Sequence, residues 1–348
     1  MQTVYVGLSG GVDSSVSAAL LKTQGYNVVG VYMKNWTADV AGVACPWKQD
    51  LADARAAAAV LDIPFKVFDF QAEYKLEVVD AMVAEYRAGR TPNPDVMCNA
   101  HIKFDLFLRT ALADGADLVA TGHYARLENG QLLMATDTNK DQTYFLYRIQ
   151  PAALERTLFP LAALTKPEVR RLAAEFGLPT AHKPDSQGIC FVGEVGLREF
   201  LRQYLEVAPG PVLHASTGAR LGEHQGAVFY TTGQRHGLGI GGGTPYYVTA
   251  KHIASNTVFV TDNPADLELE TANFTLADLH WLGELPQPGR TYAVRARHRA
   301  DLIPATISIA NDRAHVALER SERAITPGQS AVVYDLQTSR VLGGGIIA

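Results

Sequence analysis

Three cysteines in 348 residues are too few for a disulfide framework. Cys45, Cys98 and Cys190 therefore read as individual thiols: ligands, catalysts or small buried hydrophobes. No C-x-x-C pair and no Cys/His cluster of ligand spacing accompanies them, so zinc is weakly supported. No apolar run approaches bilayer-spanning length, which leaves no membrane role to expect. Met1-Gln2-Thr3 lacks a basic leader and runs straight into apolar residues, so no secretory signal is read and a cytoplasmic setting is expected. Positive charge is not in excess: 31 Lys and Arg against 36 Asp and Glu leave a net charge of −5. A broad basic surface is thereby excluded, and nucleic-acid binding needs a local patch. Internal repeats and low-complexity linkers are also absent.

What is present is ordinary globular material, with 47% apolar and 19% charged residues. The length allows two or three domains and a large core. The first part alternates short apolar strands (Val4 to Leu8, then residues 27–33, 64–70 and 118–123) with helices at 50–61, 74–88 and 106–112. That alternation predicts an α/β fold with a doubly wound parallel sheet, its ligands beyond the carboxyl ends of the strands. After residue 195 the character changes. A short helix at 196–204 leads into a Gly/Pro-punctuated stretch. Strand-like runs then follow at 292–299, 305–309, 315–318 and 330–334, which predict a small C-terminal β-barrel. The expected domains are 1–195, 196–266 and 267–348.

Between the first strand and the first helix stands Ser9-Gly10-Gly11-Val12-Asp13-Ser14. A glycine-rich strand-to-helix turn aims backbone N–H groups and a helix N-terminus at one spot, which favours phosphate. Gly10 and Gly11 allow close approach, and Asp13 or Ser14 is expected to cap the helix. The lysine and spacing of G-x-x-x-x-G-K-[ST] are missing. The loop therefore resembles that of ATP enzymes that release pyrophosphate and pass AMP to a carbonyl oxygen. Met33, at the end of strand two, and Gly122-His123, at the end of strand four, should share its crevice.

Two cysteines lie in stiff polar loops rather than core stripes. Cys98 follows Arg90-Thr91-Pro92-Asn93-Pro94-Asp95, just ahead of a helix expected from about His101, where thiolate is favoured. Asp95 is placed to exchange protons with a nearby substrate. Cys190 lies in Asp185-Ser186-Gln187-Gly188-Ile189-Cys190-Phe191. The two could pair transiently, one carrying sulfur and the other attacking or resolving. Lys140-Asp141-Gln142 reads as a solvated turn or a phosphate or base contact. Arg295, Arg297 and Arg299 alternate in the expected strand and share one face, an RNA-tracking stripe or a charged edge. Lysine is absent after Lys251, so every fixed positive charge there is arginine.

Taken together these motifs resemble the bacterial tRNA-specific 2-thiouridylases, nearly end to end. The resemblance runs through Gly7 to Ser14, Met33-Lys34-Asn35-Trp36, Gly89 to Asp95, Ala120 to Tyr124, Lys140 to Gln142, Asp185 to Phe191 and Thr326-Pro327-Gly328-Gln329-Ser330. It implies sulfur transfer to C2 of the tRNA wobble uridine, with ATP and Mg²⁺ required and a persulfide sulfur-donor protein as partner. It further implies ATP contacts at Gly7, Leu8, Ser9, Gly10, Gly11, Val12, Asp13, Ser14, Met33 and Gly122. Asn93, Pro94 and Asp95 would meet the target base. Cys98 would be the nucleophile and Cys190 the persulfide carrier, with a disulfide between them closing the cycle. His123, Lys140, Asp141, Gln142, Arg297, His298 and Gln329 would contact tRNA. The chain departs from the family at His298, where tyrosine is more familiar. The loop alone also suits an amide-forming ligase or another RNA-sulfur enzyme. Two further readings stay open, a non-catalytic tRNA-binding module and a Cys98/Cys190 redox protein.

Overall fold

The computed structural model describes residues 1–39, 45–185, 196–241, 243–266 and 269–348. Its first layer is a five-stranded parallel sheet of β1 (Thr3–Gly7), β2 (Asn27–Lys34), β3 (Phe65–Asp69), β4 (Leu118–Ala120) and β5 (Thr157–Leu158), in the order β3-β2-β1-β4-β5. Val4 and Val6 are fully buried, as strands covered on both faces require. The order reverses at β1, which pairs β2 on one side and β4 on the other. A crevice opens at such a switch point, beyond the strand ends.

The helices depart from expectation in one informative way. Pro94–Met97, a π stretch Cys98–Leu106 and Phe107–Ala113 follow one another without a break. The helix thus begins seven residues before the expected His101, with Asn93 as its N-cap and proline in its first turn. The other long helix also contains a π stretch, Lys75–Asp80. Such wide turns are rare and concentrate at functional sites.

A second sheet, Tyr247–His252, Thr257–Thr261, Gly210–His214 and Arg220–His224, occupies the Gly/Pro-punctuated middle. The C-terminal part closes into a six-stranded barrel of Glu270–Trp281, Arg313–Arg323, Ile303–Ala310, Thr291–Arg295, Ser330–Tyr334 and Val341–Ile347. One hydrophobic cluster runs from Tyr5 and Val31 through Phe200 and Val258 to Val332 and Tyr334, so a shared core joins the three sheets. No helix among the described residues is long and apolar enough to cross a membrane.

The barrel corrects the arginine reading. Its strand ends at Arg295, and Arg297 to Arg299 form the turn beyond it. Arg295 is buried and reaches Asp141 at 3.3 Å, Arg297 donates to the Arg323 carbonyl at 3.0 Å, and Arg299 adopts φ +65°. The three do not form one strand face, because the strand ends at Arg295 and the chain turns at Arg297 to Arg299.

Candidate active site

The loop after β1 enters helix α1 (Val12–Thr23) with Gly11 as N-cap and no side-chain cap. This corrects the capping expectation. Asp13 and Ser14 lie inside the first turn, and Ser14 instead accepts from the Ser9 N–H at 3.1 Å and donates to the Gly11 carbonyl at 3.2 Å. The helix end is left open to an anion. Gly10 must be glycine twice over: its φ is +78°, and a Cβ would lie 2.4 Å from the Asp50 carbonyl oxygen. Gly122, at the end of β4, would drive a Cβ to 2.6 Å from the Ser14 nitrogen. The turn after β4 and the first turn of α1 therefore touch backbone to backbone. Gly7 and Leu8 are held between β2 and β4. Met33 Cε fills the space beside Gly7, and the Leu8 N–H donates to the Val31 carbonyl at 2.8 Å.

The crevice of about 520 Å³ above this junction is lined by Ser9, Gly11, Val12 and Asp13 from the loop and by Asp95, Asn99 and Lys103 from the π-containing helix. Residues four apart fall close to one line on the wide π turn. His123, Lys140, Gln142, Phe145, His298 and Arg299 close the other walls. Lys103, Lys140 and Arg299 bring positive charge to a lining that also holds Asp13, Asp95 and Asp185.

An ion network underlies the crevice floor. Lys166 Nζ sits 2.7 Å from Asp13 and 2.8 Å from Asp185. Asp13 also accepts from the Tyr124 hydroxyl at 3.0 Å, and Asp185 from Lys140 at 2.7 Å and Arg170 at 2.9 Å. Burial tends to raise the Asp185 carboxyl, but the Lys140 and Lys166 ammonium groups outweigh it and hold the carboxyl at about 2. The sequence reading missed Lys166, Asp185 and Lys103 as functional side chains. Thr165-Lys166-Pro167-Glu168 did carry a signal, a capping-box pattern opening the helix Lys166–Glu175.

The remaining expected residues fall into three places. Asp95, His123, Lys140, Gln142 and His298 line the crevice. Burial, and then Lys103, holds the His123 imidazole well below its usual range. His298 is held at about 4 by burial and by Arg299 and Arg295. Its ring packs 4.4 Å from that of Phe145.

A second set of residues serves the junction with the barrel. Asp141 is buried and accepts from the Ala135 N–H, the Thr143 hydroxyl and Arg295. Gln329 Nε2 donates to the Thr91 carbonyl at 2.6 Å, and Thr91 N–H donates to the Pro327 carbonyl at 3.1 Å. The barrel thereby grips the loop that carries Asn93 and Pro94. These two line a separate, more apolar groove between that loop and the chain's C-terminal strand.

Cys98 is 2% exposed and belongs to the core cluster beside Asp95, not to the crevice lining. Cys190 lies outside the described residues. Cys45 is half-buried, and burial pushes its thiol up.

Comparison with known proteins agrees along the whole chain. Residues 2–194 match the family described as tRNA methyl transferase HUP domain, 198–262 its PRC-barrel domain, and 271–347 an aminomethyltransferase beta-barrel domain. A tRNA-specific 2-thiouridylase MnmA of Neisseria gonorrhoeae is 51% identical, covering 99% of this chain and 95% of that protein. The protein of the same name from Nitrosomonas eutropha is 48% identical over 99% of this chain and 98% of its own length. Among solved structures, a 4-thiouridine synthetase–RNA complex with bound ATP aligns over 58% of this chain and 50% of that one, at 18% identity and a TM-score of 0.37.

Proposed function

The chain belongs to the tRNA-specific 2-thiouridylase family, and from that premise we infer that it replaces O2 of the tRNA wobble uridine by sulfur in an ATP-dependent reaction. The observation that carries this reading is the single crevice. It joins an open, lysine-free phosphate loop to two further carboxylates, three cations and four aromatic rings. The names of the matching domain families speak of methyl transfer. The full-length identity to thiouridylases and the open loop favour sulfur transfer.

ATP is a substrate in this reaction. The uncapped N-terminus of α1 fits its phosphates, since Gly11 leaves the first-turn N–H groups without a side-chain cap. For Mg²⁺ the loop carboxylate, Asp13, is already held by Lys166 through both oxygens. No group of three or more candidate ligands exists among the described residues. This fits a cation that arrives on the phosphates rather than in a protein cage.

The uracil must leave its stack to expose C2 to the crevice. Its O2 attacks the α-phosphorus with loss of the N3 proton, and pyrophosphate leaves toward the loop. The terminal sulfur of a Cys190 persulfide, charged by a donor protein, then attacks C2 and AMP departs. Attack of the Cys98 thiolate on the Cys190 sulfur frees the thiouridine and forms a Cys98–Cys190 disulfide, which an external thiol reduces. Asp95 handles the protons, four residues from Asn99 on the crevice wall. His123, Lys140, Asp141, Gln142, Arg297, His298 and Gln329 serve tRNA binding in this reading. Asp141 and Gln329 act by fixing the interdomain surface. The reactants favour a cytoplasmic setting.

The test is pyrophosphate release from ATP with unmodified tRNA. Release should require a uridine at the wobble position. The Cys190→Ser variant should still release pyrophosphate and form no thiouridine. Pyrophosphate release driven by a small amine without RNA would instead favour an amide ligase.

A further inference from the structure

Asn99 is 2% exposed and lines the crevice between Asp95 and Lys103. Its Nδ2 donates to the Phe145 carbonyl at 3.2 Å. A carbonyl can only accept, so this bond fixes which end of the amide is which. The opposite end, Oδ1, is buried and has no hydrogen-bond partner among the described residues. Most buried acceptors are paired, and one left unpaired in the wall of a cavity calls for a donor from outside. The surroundings narrow that donor's chemistry. Phe145, which holds the amide, also lines the crevice with its ring against His298, whose Nδ1 is likewise buried without a partner among the described residues. An aromatic wall beside an unpaired acceptor suits the edge of a nucleobase.

Uracil and cytosine differ at the atom next to O2. Uracil carries an N3–H donor there, and cytosine carries a bare N3 acceptor. With O2 held for reaction, N3 is the next atom along the base edge. An acceptor in the wall pairs with uracil and opposes the cytosine lone pair.

We propose that Asn99 is a specificity-determining residue, whose Oδ1 accepts the N3–H of the target uracil and turns cytosine away. The proposal rests on the uridine-thiolating reading above. Phe145 is the positioning partner, since its carbonyl holds the amide with the acceptor end left over.

The test uses the full chain, ATP and tRNAs that carry uridine, 3-deazauridine or cytidine at the target position. In 3-deazauridine a C–H replaces N3–H. The readout is kcat/KM for pyrophosphate release. The wild-type protein should favour uridine over 3-deazauridine by about tenfold or more, the worth of one buried hydrogen bond. Cytidine should be refused. In Asn99→Leu, of the same branching but without the acceptor or the donor to Phe145, the uridine to 3-deazauridine ratio should fall to about twofold. Retention of the wild-type ratio in Asn99→Leu overturns the assignment, because the preference then arises elsewhere. Should that variant not fold, equal wild-type rates on uridine and 3-deazauridine overturn it alone. Wild-type protein inactive even on the uridine tRNA would sink the thiolation reading, and the assignment with it.

Discussion

Replacing Lys166 by methionine should unsettle the crevice floor without opening a cavity. Methionine keeps the length and apolar stem of lysine and removes only the ammonium. Two carboxylates lose their shared partner: Asp13 keeps the Tyr124 hydroxyl, and Asp185 keeps Lys140 and Arg170. Breaking a fully buried pair costs about 3–5 kcal/mol, and an exposed one costs up to about 1 kcal/mol. The ammonium side is 11% exposed and its partners 31% and 24%, so the pair lies between these limits. A loss of about 2 kcal/mol is expected. Urea unfolding at unchanged slope measures it through the shift in midpoint. The pH dependence sharpens the test. Asp185 is held at about 2, below its ordinary 3.8. A depressed carboxyl stabilises above its unfolded value, and that stability is lost as pH falls through the folded one. The variant's deficit should therefore stay constant from about pH 5 to 8 and shrink only below about pH 4. A deficit under about 0.5 kcal/mol, or one already gone at pH 6, would refute the claim that Lys166 neutralises this floor.

Three further outcomes follow from the same geometry. Gly122→Ala forces a Cβ against the Ser14 nitrogen at 2.6 Å. It should weaken ATP binding at least about tenfold or cost about 1–3 kcal/mol of stability, read by calorimetry. Gln329→Ala removes the barrel's hold on the Thr91 carbonyl. It should cost about 1 kcal/mol and speed amide exchange in the loop before Asp95. His298 and His123 are both depressed, so the unfolded chain binds more protons below the ordinary imidazole value. Stability should rise with pH between about 4 and 6.5, and His298→Asn should flatten part of that rise in a pH series of urea midpoints.

The parallel sheet was legible because its strands are short continuous apolar runs, and Val4-Tyr5-Val6 shows the pattern plainly. The loop was legible because adjacent glycines are costly without a reason for close approach. The middle sheet was not, since its strands are five or six residues long and two of them carry Gly or Pro, with packing supplied from the shared core. Alternation suggested that Arg295, Arg297 and Arg299 share a face. It gave no sign that the strand would stop where Arg295 turns inward to Asp141. Lys166 escaped notice because its partner Asp13 lies 153 positions away, a distance no local pattern spans. Asn99 escaped for a similar reason, since its unpaired Oδ1 follows from a bond to the Phe145 carbonyl that only the fold creates.

The measurement closest to the central claim is mass spectrometry of nucleosides from unmodified tRNA incubated with the protein, ATP, Mg²⁺ and a persulfide-charged sulfur donor, with ATP omitted in the control. The predicted result is 2-thiouridine at the wobble position, formed only when ATP is present. Thiouridine formed equally without ATP, or AMP released with no thiouridine at all, would contradict it.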